Sequence, residues 1–140
     1  FPYTTLFRSV GLSDEVFGRT VTYLKERKQF GKAIGEFQAL QHRAAQLYID
    51  IEITRAAVLK ALQALDTDLD KAAHAVAVAK ARAGTTATLA VQEGVQMHGG
   101  MGMTDELNVG HYFKRISSIN IQFGDPAYHV LRYAQLDAAA

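Results

Sequence analysis

The chain has 140 residues, a formal net charge of +1 and 49% hydrophobic residues, which is one domain with material for one core and no broad basic surface for nucleic acid. It has no cysteine, which excludes disulfides, thiolate metal sites and a cysteine nucleophile and suits a cytoplasmic protein. No apolar run approaches the roughly 20 residues of a membrane span.

The first nine residues, Phe1 to Ser9, show no helical period. They resemble sequencing-adapter DNA translated in one frame and are read as a non-native tail, which places native sequence upstream of Val10. From Val10 the pattern is helical. A first helix is expected from about Leu12 to Arg27, with Ser13, Asp14 and Glu15 capping its start. A loop holding Phe30, Gly31, Ile34 and Gly35 follows.

The second helix is the clearest signal. Phe37, Leu40, Ala44, Leu47, Ile51, Thr54, Val58, Leu62 and Leu65 stand three and four apart, a buried stripe interrupted only by Thr54. Its length of roughly 30 residues suits a bundle of equally long neighbours. Asp66 to Asp70 break the pattern. They superficially resemble a calcium loop, but Lys71 stands where that loop needs glycine and Ala77 where it needs a bidentate glutamate, so a solvated turn with capping acids is expected.

A third, alanine-rich helix is expected over about Leu69 to Met97, where Gly84 and Gly94 allow close packing. Gly99, Gly100 and Gly102 then break the chain, and Thr104, Asp105 and Glu106 look like a helix start. A shorter helix is expected over Asn108 to Asn120. A last one follows from Pro126 to about Asp137, capped by Asp125, before a frayed Ala138 to Ala140 tail. The fold class is therefore all-α, an up-and-down bundle of long helices.

Chemistry-bearing groups are few. No two of His42, His74, His98, His111 and His129 stand four apart, so the helical metal motif is absent and most are expected to be surface or structural. The glycines near position 100 follow a helix rather than a strand, unlike a dinucleotide fingerprint. They suit either a plain helix-ending turn or a cluster of amides that holds an anion. The segment Glu26 to Gln41 is more specific: Arg27 suits phosphate through its forked geometry, and Phe37 and Gln38 suit a flat base. By itself it is a capped helix hairpin with a basic edge.

Arg27-Lys28-Gln29-Phe30-Gly31, then Phe37 to Gln41, then Gln96 to Glu106 occur in order at fitting spacings. Together they resemble the C-terminal domain of acyl-CoA dehydrogenases, over Val10 to about Arg132. The resemblance implies a longer parent with an N-terminal helical domain and a central β-barrel, both missing here. It implies FAD, bound largely by another subunit and touched across the interface by Arg27, Gln29, Phe30, Phe37, Gln38, Gln96, Gly99 and Gly100. It further implies a homo- or hetero-oligomer, an acyl-CoA substrate, electron-transfer flavoprotein or a similar acceptor, and α,β-dehydrogenation of the thioester. The family's usual base is a glutamate after the fourth helix, where this chain has Phe123. Phenylalanine cannot accept a proton, and Asp125, two positions on, is the nearest substitute. The FGDPAYH stretch, Phe123 to His129, together with HGGMGMTDE, His98 to Glu106, is similar to small subunits such as that of pimeloyl-CoA dehydrogenase, which implies a partner chain. The alternatives are a non-catalytic structural subunit of a heteromeric dehydrogenase and an unrelated helical binding module.

Overall fold

The computed structural model describes residues 3–104 and 106–138. The elements in chain order are α1 (Tyr3–Glu26), β1 (Lys28–Gln29), β2 (Lys32–Ala33), a 3-10 turn (Ile34–Glu36), α2 (Gln38–Thr67), α3 (Leu69–His98), a second 3-10 turn (Gly99–Met103), α4 (Val109–Ile121) and α5 (Pro126–Ala138). The expected all-α bundle is what forms, with one small hairpin added.

α3 is the axis and touches the other four helices. Much of its buried face is small: Ala72, Ala77, Ala79, Ala83, Ala87 and Ala90. Small side chains let helix axes approach, and the two glycines carry this furthest. A Cβ on Gly94 would stand 2.7 Å from Val16 Cγ1, and one on Gly84 2.7 Å from Pro126 Cγ. Three clusters of buried side chains lie along it. Leu6, Val10 and Val58 meet Ala79 and Ala83; Val16 and Ile116 meet Ala87 and Val91; Leu24, Leu47 and Ile51 meet Ala90 and Met97. Residue numbers rise together on α1 and α3 and fall on α2, so α2 runs against both.

On α2 the stripe buries Leu47, Ile51, Thr54, Val58 and Ala61. Each large aliphatic side chain contributes about 1.5–3 kcal/mol on burial. Thr54 is accommodated because its hydroxyl donates to the Asp50 carbonyl at 2.7 Å and meets the Thr86 hydroxyl at 2.8 Å. Asp68 alone joins α2 to α3. Its side chain accepts from the Lys71 amide at 3.2 Å and pairs with Lys71 Nζ at 2.9 Å, which is the capping role expected of this acidic stretch. No group of three metal-ligating side chains occurs among the described residues.

Three boundaries are corrected. α1 begins at Tyr3 rather than Leu12 and closes at Glu26, so residues 3–9 are helical. The helical period there is real but written partly in hydroxyls: Thr5, Leu6, Ser9, Val10, Ser13, Val16 and Thr20 form one buried face. Ser13 is no cap; its hydroxyl donates to the Ser9 carbonyl, and Thr20 does the same to Val16, each at 2.8 Å. Asp14 instead meets Arg55 of α2 at 2.8 Å, and Glu15 meets Arg19 at 2.6 Å. Thr104 does not start α4. Its hydroxyl donates to the Met101 carbonyl at 2.9 Å and closes the second 3-10 turn, and α4 starts at Val109. Asp105, Ala139 and Ala140 lie outside the described residues, and Ala138 is the last residue of α5. No described helix is long and apolar enough to cross a membrane.

Candidate functional site

Two regions gather the residues singled out by sequence. The first is the hairpin between α1 and α2. Lys28 pairs with Ala33 and Gln29 with Lys32, which leaves Phe30 and Gly31 as a two-residue turn. Both have positive φ, 54° and 82°, the pattern of a type I′ turn. Gly31 adopts it freely, whereas Phe30 does so at a cost of about 1–2 kcal/mol. The effect is to throw the Phe30 ring outward, where it is 91% exposed and meets Phe37 edge-on at 6.1 Å. Lys32 Nζ stands 4.3 Å over the Phe37 ring. The base of the hairpin is firm: the Ile34 amide donates to the Arg27 carbonyl at 2.8 Å, the Ala33 amide to Glu36 Oε1 at 3.2 Å, and Gln41 Nε2 to the Gly35 carbonyl at 2.9 Å.

The tip is basic and open. Lys25, Arg27 and Lys28 are exposed and Lys32 is half-buried; none of the four joins an ion pair among the described residues. The Gln29 side chain donates to the Lys28 carbonyl at 2.8 Å, and Gln38 is exposed at the first position of α2. An unpaired cationic fork beside an exposed ring and two amides fits an anionic ligand with a flat group, such as a dinucleotide.

Gln96, Gly99 and Gly100 lie at the same end of the bundle, because Met97 packs with Leu24, Ile34 and Leu40. All three are exposed, and Gly99 ends α3 with φ 61°. No hydrogen bond or ring contact joins them to the hairpin among the described residues. The five hairpin residues therefore form one patch and these three a second patch on the same end. Between the helices behind them His98 is buried, its Nδ1 2.7 Å from the Gly94 carbonyl and its ring 4.4 Å from that of Tyr23.

The second region is the turn from α4 to α5, at the middle of α3. Pro126 lies against Gly84, roughly 22 Å of helix rise from Gly99. Phe123 and Gly124 again have positive φ, 61° and 97°. Phe123 is 57% exposed, and a Cβ on Gly124 would collide with Tyr128 Cδ1 and stand 3.0 Å from His129 Nε2. Asp125 Oδ1 accepts from the Tyr128 amide at 2.8 Å, so its carboxylate caps α5 as expected.

Sequence alone leaves His129 among the surface or structural histidines and does not single out Lys80. His129 is 5% exposed, and its Nε2 donates to the Phe123 carbonyl at 2.9 Å. Burial lowers its pKa from the ordinary histidine value, against the bond to Phe123, and nearby Lys80 and Arg132 lower it further. Lys80 of α3 is 3% exposed with no described hydrogen bond or ion pair, and burial lowers its pKa as well. The expectation that most histidines are surface or structural holds, with His98 and His129 the structural ones; His42 and His111 are exposed and His74 packs on Tyr133. On α5, Val130, Leu131 and Tyr133 are exposed.

Residues 3–135 match the family model for the C-terminal domain of acyl-CoA dehydrogenase. The chain is 41% identical over 106 residues to acyl-CoA dehydrogenase IpdE2 of Mycobacterium tuberculosis, across 76% of this chain and 31% of that protein. Among solved structures, the Tcur3481-Tcur3483 steroid ACAD G363A variant superposes with a TM-score of 0.92 at 31% identity, covering 99% of this chain and 38% of that one. The glutaryl-coenzyme A dehydrogenase glutaryl-CoA complex superposes with a TM-score of 0.92 at 26% identity, covering 99% and 35%. The chain thus spans about a third of the length of these relatives.

Proposed function

We propose a function from one premise: the chain belongs to the acyl-CoA dehydrogenase family, whose C-terminal domain it matches. Residues 10–140 serve as the C-terminal bundle of a longer, FAD-dependent enzyme, whose N-terminal helical and β-barrel domains complete the fold. That enzyme dehydrogenates an acyl-CoA thioester between its α and β carbons and passes electrons to an electron-transfer flavoprotein or a similar acceptor in the cytoplasm. FAD, when bound, supplies the electron sink for the β hydride.

The observation that carries this reading is the hairpin tip, with an outward Phe30 and cations that join no ion pair among the described residues. Arg27 and Gln29 hold pyrophosphate, with Phe30 beside them; Phe37 and Gln38 lie near the adenine; Gln96, Gly99 and Gly100 add contacts. This patch lies more than 20 Å along α3 from the Phe123 turn. That separation supports a division in which each chain touches a neighbour's cofactor with one end and its own substrate side with the other. Exposed Tyr48, Ile49 and Ile53 on α2 and Val130 and Leu131 on α5 support an oligomer, since such residues are normally covered.

A second reading has its own support. Phe123 cannot take a proton, and the Asp125 carboxylate is engaged as a cap. Both favour a subunit that leaves the base to a partner chain, or a non-catalytic structural subunit of a heteromer. The test is the visible spectrum of the longer protein that carries this bundle, alone and co-expressed with a neighbouring dehydrogenase-like chain, before and after acyl-CoA is added. Flavin that bleaches only in the pair supports the divided enzyme. A colourless protein under every pairing overturns the dehydrogenase reading.

A further inference from the structure

The α4–α5 turn contains two consecutive residues in left-handed backbone, and one of them is a phenylalanine. Such a residue persists only where its surroundings fix it. Here the surroundings are few and identifiable. Asp125 fixes the start of α5 through the Tyr128 amide. Tyr128 and His129 pack so closely on Gly124 that no side chain fits there. The single side-chain hydrogen bond to the Phe123 backbone among the described residues is that of His129.

We propose that His129 is the positioning residue of this turn: its Nε2–H, held on the Phe123 carbonyl, locks the left-handed pair so that the side chain at position 123 projects from the bundle. The proposed dehydrogenase reading supplies only the meaning of position 123, the family's base position; the lock itself rests on geometry. The ring is confined to one tautomer, because a carbonyl can only accept. Nδ1 is buried without a partner, so a second proton there has nothing to bond. The charged groups facing the ring are Lys80 from α3, Arg132 one turn on, and Asp125 from the turn; Asp50 of α2 and Arg82 of α3 share a 530 Å³ cleft with it. Burial first, and then Lys80 and Arg132, oppose that second proton against the bond to Phe123 and the pull of Asp125, which favours the neutral ring. Loss of the donor lets Phe123 relax to negative φ and swings its side chain from its present direction.

The test uses the 140-residue chain and needs no flavin. In wild type, ring nitrogen NMR is expected to show a neutral Nε2–H tautomer at pH 7; an Nδ1–H tautomer or a charged ring overturns the proposal. In His129→Leu, exchange of the Gln122 and Tyr128 amides, which flank the turn and bond to the Ile119 carbonyl and Asp125 Oδ1, is expected to rise about tenfold at unchanged helix content, and in His129→Gln, whose amide donates at similar reach, to return most of the way. Unchanged exchange in a folded His129→Leu overturns it too, and if that variant fails to fold, the wild-type tautomer decides. A locked turn in a chain whose longer parent binds no flavin would sink the dehydrogenase reading alone, and a free turn in a flavin-bearing parent would sink the lock alone.

Discussion

The hairpin and the α4–α5 turn are built on the same two residues in the same backbone. Phe30-Gly31 and Phe123-Gly124 both take consecutive positive φ angles, and both throw the phenylalanine outward. What differs is the support. The hairpin tip is held by its own short backbone ladder, and a Cβ on Gly31 would meet nothing within 4 Å. The other turn is held from the side by Tyr128 and His129, with no room at Gly124. Two identical local devices thus serve opposite purposes: one is an open tip with unpaired cations, the other a clamped corner over the helix axis.

The largest expected effect tests that contrast directly. Gly124→Ala adds a collision to a conformation alanine disfavours and should destabilise the chain by about 3 kcal/mol, or roughly 10 °C in Tm. Gly31→Ala adds only the conformational term, about 1 kcal/mol. Thermal melts followed by circular dichroism measure both. Equal losses at the two glycines would show that the corner is no more clamped than the tip.

Lys80 sharpens the comparison from beneath the corner. A lysine that is 3% exposed and has no partner among the described residues is a burden on the folded state, so Lys80→Met should raise stability by about 1–2 kcal/mol at pH 7. A lower urea midpoint would show that Lys80 has a hidden favourable partner. His129 gives a third, smaller effect with a definite sign. Its folded pKa lies below the ordinary 6.5 because of burial first, so the unfolded chain binds the extra proton more readily. Its contribution is whole above pH 6.5 and declines as pH falls from there through the folded pKa. His129→Gln should flatten that stretch of the stability–pH curve; an unchanged slope would assign the decline to other groups.

Sequence made the hairpin more legible than the corner, and the reason is physical. Arg27, Gln29, Phe30 and Phe37 lie within eleven residues on the surface, so composition and order display them together. The long helices were equally plain, α2 from its apolar stripe and α3 from its alanines, and each runs for 30 residues. The clamp is Tyr128 and His129 packed on Gly124 and the Phe123 carbonyl, and neither a left-handed backbone pair nor a buried histidine leaves a period in the sequence. α1 was started too late because Thr5, Ser9 and Ser13 are buried, and a hydroxyl such as that of Ser13 is satisfied by the helix backbone. The Asp125 cap was readable because it needs only its neighbours.

The smallest expected loss of stability falls at the hairpin tip, and it separates ligand from structure. Arg27→Ala removes a side chain with no described partner, and Phe30→Asn installs a residue that tolerates left-handed backbone. Arg27→Ala should not lower the stability of the 140-residue chain by more than about 0.5 kcal/mol, and Phe30→Asn should raise it by relieving the left-handed strain. In the longer flavin-bearing protein the same two changes should weaken flavin retention, Arg27→Ala by about tenfold, since a charge-assisted bond to phosphate is worth about 1.5–3 kcal/mol. Arg27→Lys should recover only part of that, because it keeps the charge and loses the fork. Dialysis against potassium bromide followed by flavin absorbance measures retention. If Arg27→Ala keeps its flavin while the chain's own melt drops, the tip is a structural hairpin and its open cations face no cofactor.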